Sequence, residues 1–146
     1  MILVYLYSLN LNKINLLLSK PNSKFWKNKN VLITGHTGFK GGWLSVLLNY
    51  MGSRIIGYAL NPTGKNNFFK AVNVKKILRK NFRKDIRDLD NLKKVIKKNK
   101  PEIIFHLAAQ SSVIESFKNS HTTVTSNVLG ITKILEAIKD FTFVKS

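Results

Sequence analysis

Three glycines at three-residue intervals, Gly35, Gly38 and Gly41, follow directly on the apolar run Val31-Leu32-Ile33 in the stretch VLITGHTGFKGGWL. A strand that runs through G-x-x-G-x-x-G into a helix gives each glycine a task. The first permits the tight turn, the second lets a phosphate approach the backbone, and the third lets helix and strand pack closely. The free N–H groups of the first helical turn, with the helix dipole, favour an anionic diphosphate. The triplet alone also fits a mere strand-to-helix turn; the buried strand before it and the helix after it point to dinucleotide binding.

From Lys29 onward strand-like and helix-like segments alternate, the order of a parallel sheet covered by helices. NVLIT reads as a first strand buried on both faces, because its apolar residues are consecutive. GWLSVLLNYMG follows as a helix with Leu44, Leu47, Leu48 and Met51 on one face and Gly52 at its end. RIIGYAL is a second strand, and KNFRKDIRD holds a short third strand around Phe82 that ends at Asp85. In DLDNLKKVIKKNK, Leu89, Leu92, Val95 and Ile96 make the inner face of a helix that Pro101 stops. EIIFHLAA is a fourth strand. A long helix is predicted from His121 to Lys139, with Val124, Val128, Ile131, Leu135 and Ile138 at helical intervals, and FTFVK reads as the opening of a fifth strand. The expected fold is α/β, a Rossmann-type doubly wound parallel sheet truncated at about the fifth strand.

A chain of 146 residues with 44% hydrophobic content suits one domain with a real core. Residues 1–24 read as an N-terminal extension of unknown role, and 25–146 as the sheet domain, incomplete at its end. The extension opens on an apolar run, but Asn10, Asn12, Lys13 and Asn15 interrupt it before it reaches the ~18 residues of a membrane span. It also lacks the basic leader and small-residue cleavage site of a secretory signal. The absence of cysteine suits a reducing cytoplasm and excludes thiolate metal sites, and His36, His106 and His121 do not show metal-ligand spacing. No membrane partner and no metal are expected. Twenty-five basic residues against 7 acidic ones give a formal charge of +18. Twelve of the basic residues lie between Lys75 and Lys100 with only Phe82 as an interleaved aromatic, so a stacking platform for bases is not evident. A solvated basic helix face is the plainer reading, and no nucleic-acid partner is expected.

A carboxylate is expected about 20 residues after the first glycine, at the end of the second strand, to hold the adenosine ribose. Ala59 stands there instead. Lys65, the nearest downstream charge, is able to attract a 2′-phosphate, so this position leaves NAD and NADP both open. Asp85 has two readings, an acceptor for the adenine amino group or a turn or helix-capping aspartate.

Taken together, TGHTGFKGGWL, GYAL, DIRDLDNL, PEIIFHLAAQ and SNVLGITKILEAIK resemble the extended short-chain dehydrogenase/reductases. Within them the resemblance is to the CDP-glucose 4,6-dehydratases, nucleotide-sugar lyases of deoxysugar biosynthesis, and it covers residues 25 to about 145. GHTGFKG followed by GYAL is its most specific part, because most relatives carry an acid where Ala59 stands. The resemblance implies NAD as cofactor, CDP-glucose as substrate of the full-length enzyme, and a homodimer formed through helices that include the one around Asn127. It implies that Gly35, Thr37, Gly38, Phe39, Lys40 and Gly41 cradle the diphosphate. Asp85 and Ile86 would flank the adenine, and Leu107, Ala108, Ala109 and Gln110 would line the cofactor beyond the fourth strand. Asn127 would brace the active-site backbone.

The chain departs from that family pattern in two places. After HLAAQ the dehydratases carry Pro-Leu-Val and then arginine, whereas this chain has Ser111, Ser112, Val113, Ile114 and Glu115, which weakens a contact with an anionic substrate. The implied reaction also needs a tyrosine base with a lysine four residues on, and none of Tyr5, Tyr7, Tyr50 and Tyr58 has one. The expectation is therefore a cofactor-binding N-terminal part of an NAD-dependent lyase that does not turn over substrate alone. Another nucleotide-sugar epimerase or dehydratase on the same scaffold, and a basic nucleic-acid binder, are the alternatives.

Overall fold

The computed structural model describes residues 22–64 and 66–146. The N-terminal extension, except for its last three residues, and Lys65 lie outside the described residues. The chain enters through α1 (Ser23–Trp26), capped by the Asn22 side chain, and then runs through β1 (Asn30–Thr34), α2 (Phe39–Tyr50) and β2 (Arg54–Ala59). The short α3 (Phe68–Ala71) and a 3₁₀ turn (Val74–Ile77) lead into β3 (Leu78–Arg83), α4 (Leu89–Asn99) and β4 (Ile103–His106). After a loop come α5 (Val113–Lys118), α6 (Ser120–Val124), a π-helical turn (Thr125–Leu129) and α7 (Gly130–Ile138).

The four strands form one parallel sheet in the order β3-β2-β1-β4. The order reverses direction between β1 and β4, the place where open α/β sheets leave a crevice beyond their carboxyl ends. The consecutive apolar residues of β1 serve both faces. Val31 and Ile33 join Leu48, Met51, Ile55 and Ile103 in the α2 layer, whereas Leu32 joins Ile56, Tyr58, Leu92, Ile96 and Ile134 in the layer of α4 and α7. The doubly wound α/β class read from the sequence is the observed one. Past Phe143 the tail runs beside β4: Lys145 N donates to Glu102 O at 2.8 Å and Ile104 N donates to Ser146 O at 2.8 Å. The fifth strand expected from FTFVK is not formed: Thr142 and Phe143 lie in a turn, and only Lys145 and Ser146 reach the edge of β4.

Three further expectations shift. The third strand is longer and earlier than expected, ending at Arg83 rather than Asp85; it is the sheet edge, and its mostly unburied side chains give no apolar run to read. In α2 the buried residues are Gly41, Gly42, Ser45 and Leu48, while Leu47 is exposed. The largest change concerns the C-terminal helix. Of its expected inner stripe, Val124, Val128, Ile131 and Leu135 all face solvent, and only Ile138 packs against the core. Gly130, Ile134 and Ala137 are buried instead. Both flanks of α7 are apolar, so spacing fits either; small residues win because they allow a closer approach. A Cβ on Gly130 would stand 3.2 Å from Ile86 Cγ2.

Candidate functional site

The β1–α2 loop is built from contacts that only glycine allows at two of its three positions. Gly35 has φ +73°, and a Cβ there would meet the Leu107 carbonyl at 2.5 Å and Ala108 N at 2.7 Å, so the loop lies directly on the strand-end segment of β4. A Cβ on Gly41 would run into the Gly35 carbonyl, which brings the first turn of α2 down onto the end of β1. Gly38 differs, since among the described residues the only atom within 4 Å of a Cβ there is Gly35 O, at 3.4 Å. Its outer side is open space, where a phosphate can come against the backbone. Gly38 is also the N-cap of the twelve-residue α2, with no side-chain cap and no acid in the first turn. The first-turn N–H groups and the helix dipole are thus free for an anion. The residues present fit a dinucleotide diphosphate.

The other predicted residues gather around this crevice. Thr37 Oγ1 donates to Leu60 O at 3.1 Å, and Gly35 N donates to Tyr58 O at 2.9 Å, tying the loop to the end of β2. Phe39 and Lys40 are exposed on the first turn of α2, with the Phe39 ring edge-on to Phe68. Leu107 to Gln110 form the loop after β4. Gln110 N donates to Asn127 Oδ1 at 2.8 Å while Asn127 Nδ2 donates to Gln110 O at 3.0 Å, so this side chain clamps the main chain of one loop residue on both sides. Asn127 sits in the π turn, a widened turn often found at functional places.

Asp85 and Ile86 are placed differently from one another. Both Asp85 oxygens are engaged by Arg87, through its backbone N–H at 2.9 Å, its Nε at 3.0 Å and its Nη2 at 2.6 Å. The Arg87 hydrogen bonds hold the carboxyl below its ordinary value. The turn reading of Asp85 is therefore realised, whereas the cap of α4 is Asp88. The Ile86 side chain belongs to the core. Glu115, the departure noted after HLAAQ, lies in the first turn of α5, where Ser112 Oγ accepts from its N–H at 3.3 Å.

Sequence reasoning missed two polar centres. Thr34 is fully buried at the end of β1; its Oγ1 accepts from Leu107 N at 3.1 Å and Ala108 N at 3.2 Å, and lies 2.8 Å from His106 Nδ1. His36, inside the glycine loop, is also fully buried, against Gly57 and Phe69. Its Nε2 has Asn81 Oδ1 at 3.0 Å and Arg83 Nη1 at 3.1 Å, and its Nδ1 has no partner among the described residues. Burial above all, with the nearby Arg83 charge, lowers its pKa to about 4, despite the opposing Asn81 hydrogen bond. The ring is neutral at pH 7. Among the described residues no cluster of three or more His, Cys, Asp or Glu side chains could hold a metal ion.

Sequence comparison places this geometry in a family. The sequence model of the GDP-mannose 4,6 dehydratase family matches residues 32–146, from β1 to the last residue of the chain. The chain belongs to the GDP-mannose 4,6 dehydratase family. Among curated relatives of this dehydratase-family chain, the CDP-glucose 4,6-dehydratase of Salmonella typhimurium is 39% identical over 125 residues, covering 86% of this chain and 34% of the relative. Among solved structures, the UDP-glucose 4-epimerase of Thermus thermophilus in complex with NAD is 31% identical with a TM-score of 0.65, covering 75% of this chain and 33% of that one. The Brucella ovis UDP-glucose 4-epimerase in complex with NAD has a TM-score of 0.64 at 27% identity, with coverages of 76% and 32%. The chain thus spans about a third of the length of its relatives. Among the described residues no helix is long and apolar enough to cross a membrane.

Proposed function

We propose that this chain is the NAD-binding N-terminal part of a nucleotide-sugar 4,6-dehydratase, with CDP-glucose as the substrate of the whole enzyme. The observation that carries the reading is the glycine cradle, with Gly35 and Gly41 packed against backbone and Gly38 open beside an uncapped helix end. The 39% identity to a CDP-glucose 4,6-dehydratase supports the substrate. NAD, when bound, supplies a hydride acceptor and donor. The residues of this chain bind and orient it: the Gly35–Gly41 loop takes the diphosphate, and the Leu107–Gln110 segment, clamped by Asn127, lines its other half. Asp85 and Ile86 flank the adenine, with the Asp85 carboxylate held in its turn by Arg87.

The proton-transfer groups of the reaction are not among these 146 residues, since no tyrosine is followed by lysine at the fourth place. Cytoplasmic residence and a homodimer through the Asn127 helix belong to the same proposal, as does the absence of a nucleic-acid partner. The test is incubation of the purified chain with CDP-glucose and NAD, beside an RNA titration at rising salt. No 4-keto-6-deoxy sugar and no steeply salt-dependent RNA binding are expected. Product formation would contradict the catalytic part, and tight RNA binding the cofactor part.

A further inference from the structure

Helix α2 is apolar on its outer side as well as its inner one. Gly41, Gly42, Ser45 and Leu48 lie inward, while Trp43, Leu47 and Tyr50 follow one another at intervals of four and three residues along the outside. Trp43 is 52% exposed, Leu47 45% and Tyr50 88%. The Trp43 ring stacks on Phe68 at 4.8 Å, which covers part of it among the described residues. A helix that is apolar all round belongs in an interior, so this stripe calls for a cover.

The chain carries an apolar segment that begins at one end of the stripe. Residues 1–21 precede α1, and thirteen of them are Met, Ile, Leu, Val or Tyr, against two charged residues, Lys13 and Lys20. High apolar content with low charge is what a segment needs to bury itself. The described fold starts at Asn22, the cap of α1, and α1 is tied to the C-terminal end of α2: Asn28 N donates to Gly52 O at 2.8 Å, and Ser53 Oγ donates to Trp26 O at 2.9 Å. Phe25, in α1, is itself 52% exposed. The twelve residues of α2 run about 18 Å, whereas 21 residues reach about 30 Å as a helix and about 70 Å extended. The segment therefore starts beside the Tyr50 end and is long enough to follow the whole stripe. Charge disfavours a second copy in its place. The chain has a formal charge of +18, and Lys27 and Lys40 stand at the two ends of α2, so two such faces repel each other, while the segment brings only its two lysines.

We propose that residues 1–21 fold back along α2 and cover Trp43, Leu47 and Tyr50 together with Phe25, so that the N-terminal segment is an intramolecular partner of the domain. The interaction does not depend on the dinucleotide reading, because it lies on the side of α2 turned away from the sheet and does not involve Gly35, Gly38 or Gly41.

The test uses the full 146-residue chain with Trp26→Phe, which leaves Trp43 as its one indole. The emission and acrylamide quenching of Trp43 should be those of a covered ring and should not change on dilution. Leu16→Asp with Leu17→Asp, added in the same background, should move the emission to the red and raise the quenching to that of a half-exposed ring, while urea unfolding stays cooperative. The chain has no cysteine, so a nitroxide is placed at one position by Ser8→Cys, with both tryptophans kept. In dilute solution it should broaden the Trp43 indole N–H resonance. Quenching typical of an exposed ring before Leu16 and Leu17 are replaced, protection that is lost on dilution and so belongs to a second copy, or protection unaffected by the two aspartates overturns the docking. An unbroadened Trp43 resonance overturns it even if Trp26→Phe fails to fold.

Discussion

Asn127 and Gln110 are joined by two hydrogen bonds, of 2.8 and 3.0 Å, in which the asparagine side chain replaces the partner that a neighbouring β-strand would give the N–H and C=O of that residue. The bonds fix the loop after β4 where β4 itself has ended. Asn127→Ala leaves the Gln110 N–H and C=O without these partners and is expected to cost about 1–2 kcal/mol in denaturant unfolding. The Gln110 amide should also exchange faster with solvent. An unchanged unfolding midpoint and unchanged exchange would mean that the clamp does not hold the loop.

The glycines of the loop should separate under substitution. A Cβ on Gly41 meets backbone that cannot move without parting α2 from β1, so Gly41→Ala is expected to destabilise by about 3 kcal/mol or more. Gly38 has φ −77° and open space, so Gly38→Ala should cost less than about 1 kcal/mol, chiefly as a poorer N-cap. Thermal unfolding of both variants tests this, and equal losses would contradict the assigned roles.

What the sequence made legible was the local part. The glycine spacing, the two-sided apolar run of β1 and the lysine-rich α4 are each decided within a dozen residues, and they stand as read. Pairings distant in sequence were not legible: nothing near Thr34 signals that it accepts from Leu107 and Ala108, and Arg83 is one cation among many in a basic stretch. The Leu135 stripe was misread because α7 is apolar on two flanks, and only the fit of Gly130 against Ile86 selects the inner one.

That selection is open to measurement. Ile134 is 5% exposed and Leu135 58% exposed, so Ile134→Ala should cost about 2–4 kcal/mol and Leu135→Ala about 0.5 kcal/mol or less in the monomeric chain. The reverse order would restore the stripe expected from spacing.

The buried His36 gives the fold a pH dependence. Its pKa falls from 6.5 in the unfolded chain to about 4 in the fold, so between those values the unfolded state binds the extra proton. The contribution is complete above pH 6.5 and is lost as the pH falls toward 4, by up to about 3 kcal/mol. His106, lowered by burial, acts in the same direction. The lowered carboxyls of Asp85, Asp88, Glu102 and Glu136 lose their contributions only at lower pH, below about 4.5. Urea midpoints at pH 7.5 and 5 should differ markedly in the unsubstituted chain and much less in His36→Gln. An identical pH slope in both would show that His36 is not the titrating group.

The most direct measurement is a fluorescence titration with NADH of the unsubstituted chain and of Gly38→Ala, both confirmed as folded by circular dichroism. The cradle predicts saturable binding of one NADH per chain, weakened about tenfold or more when a methyl group occupies the face meant for the diphosphate. No saturable binding, or equal affinity in the two proteins, would contradict it.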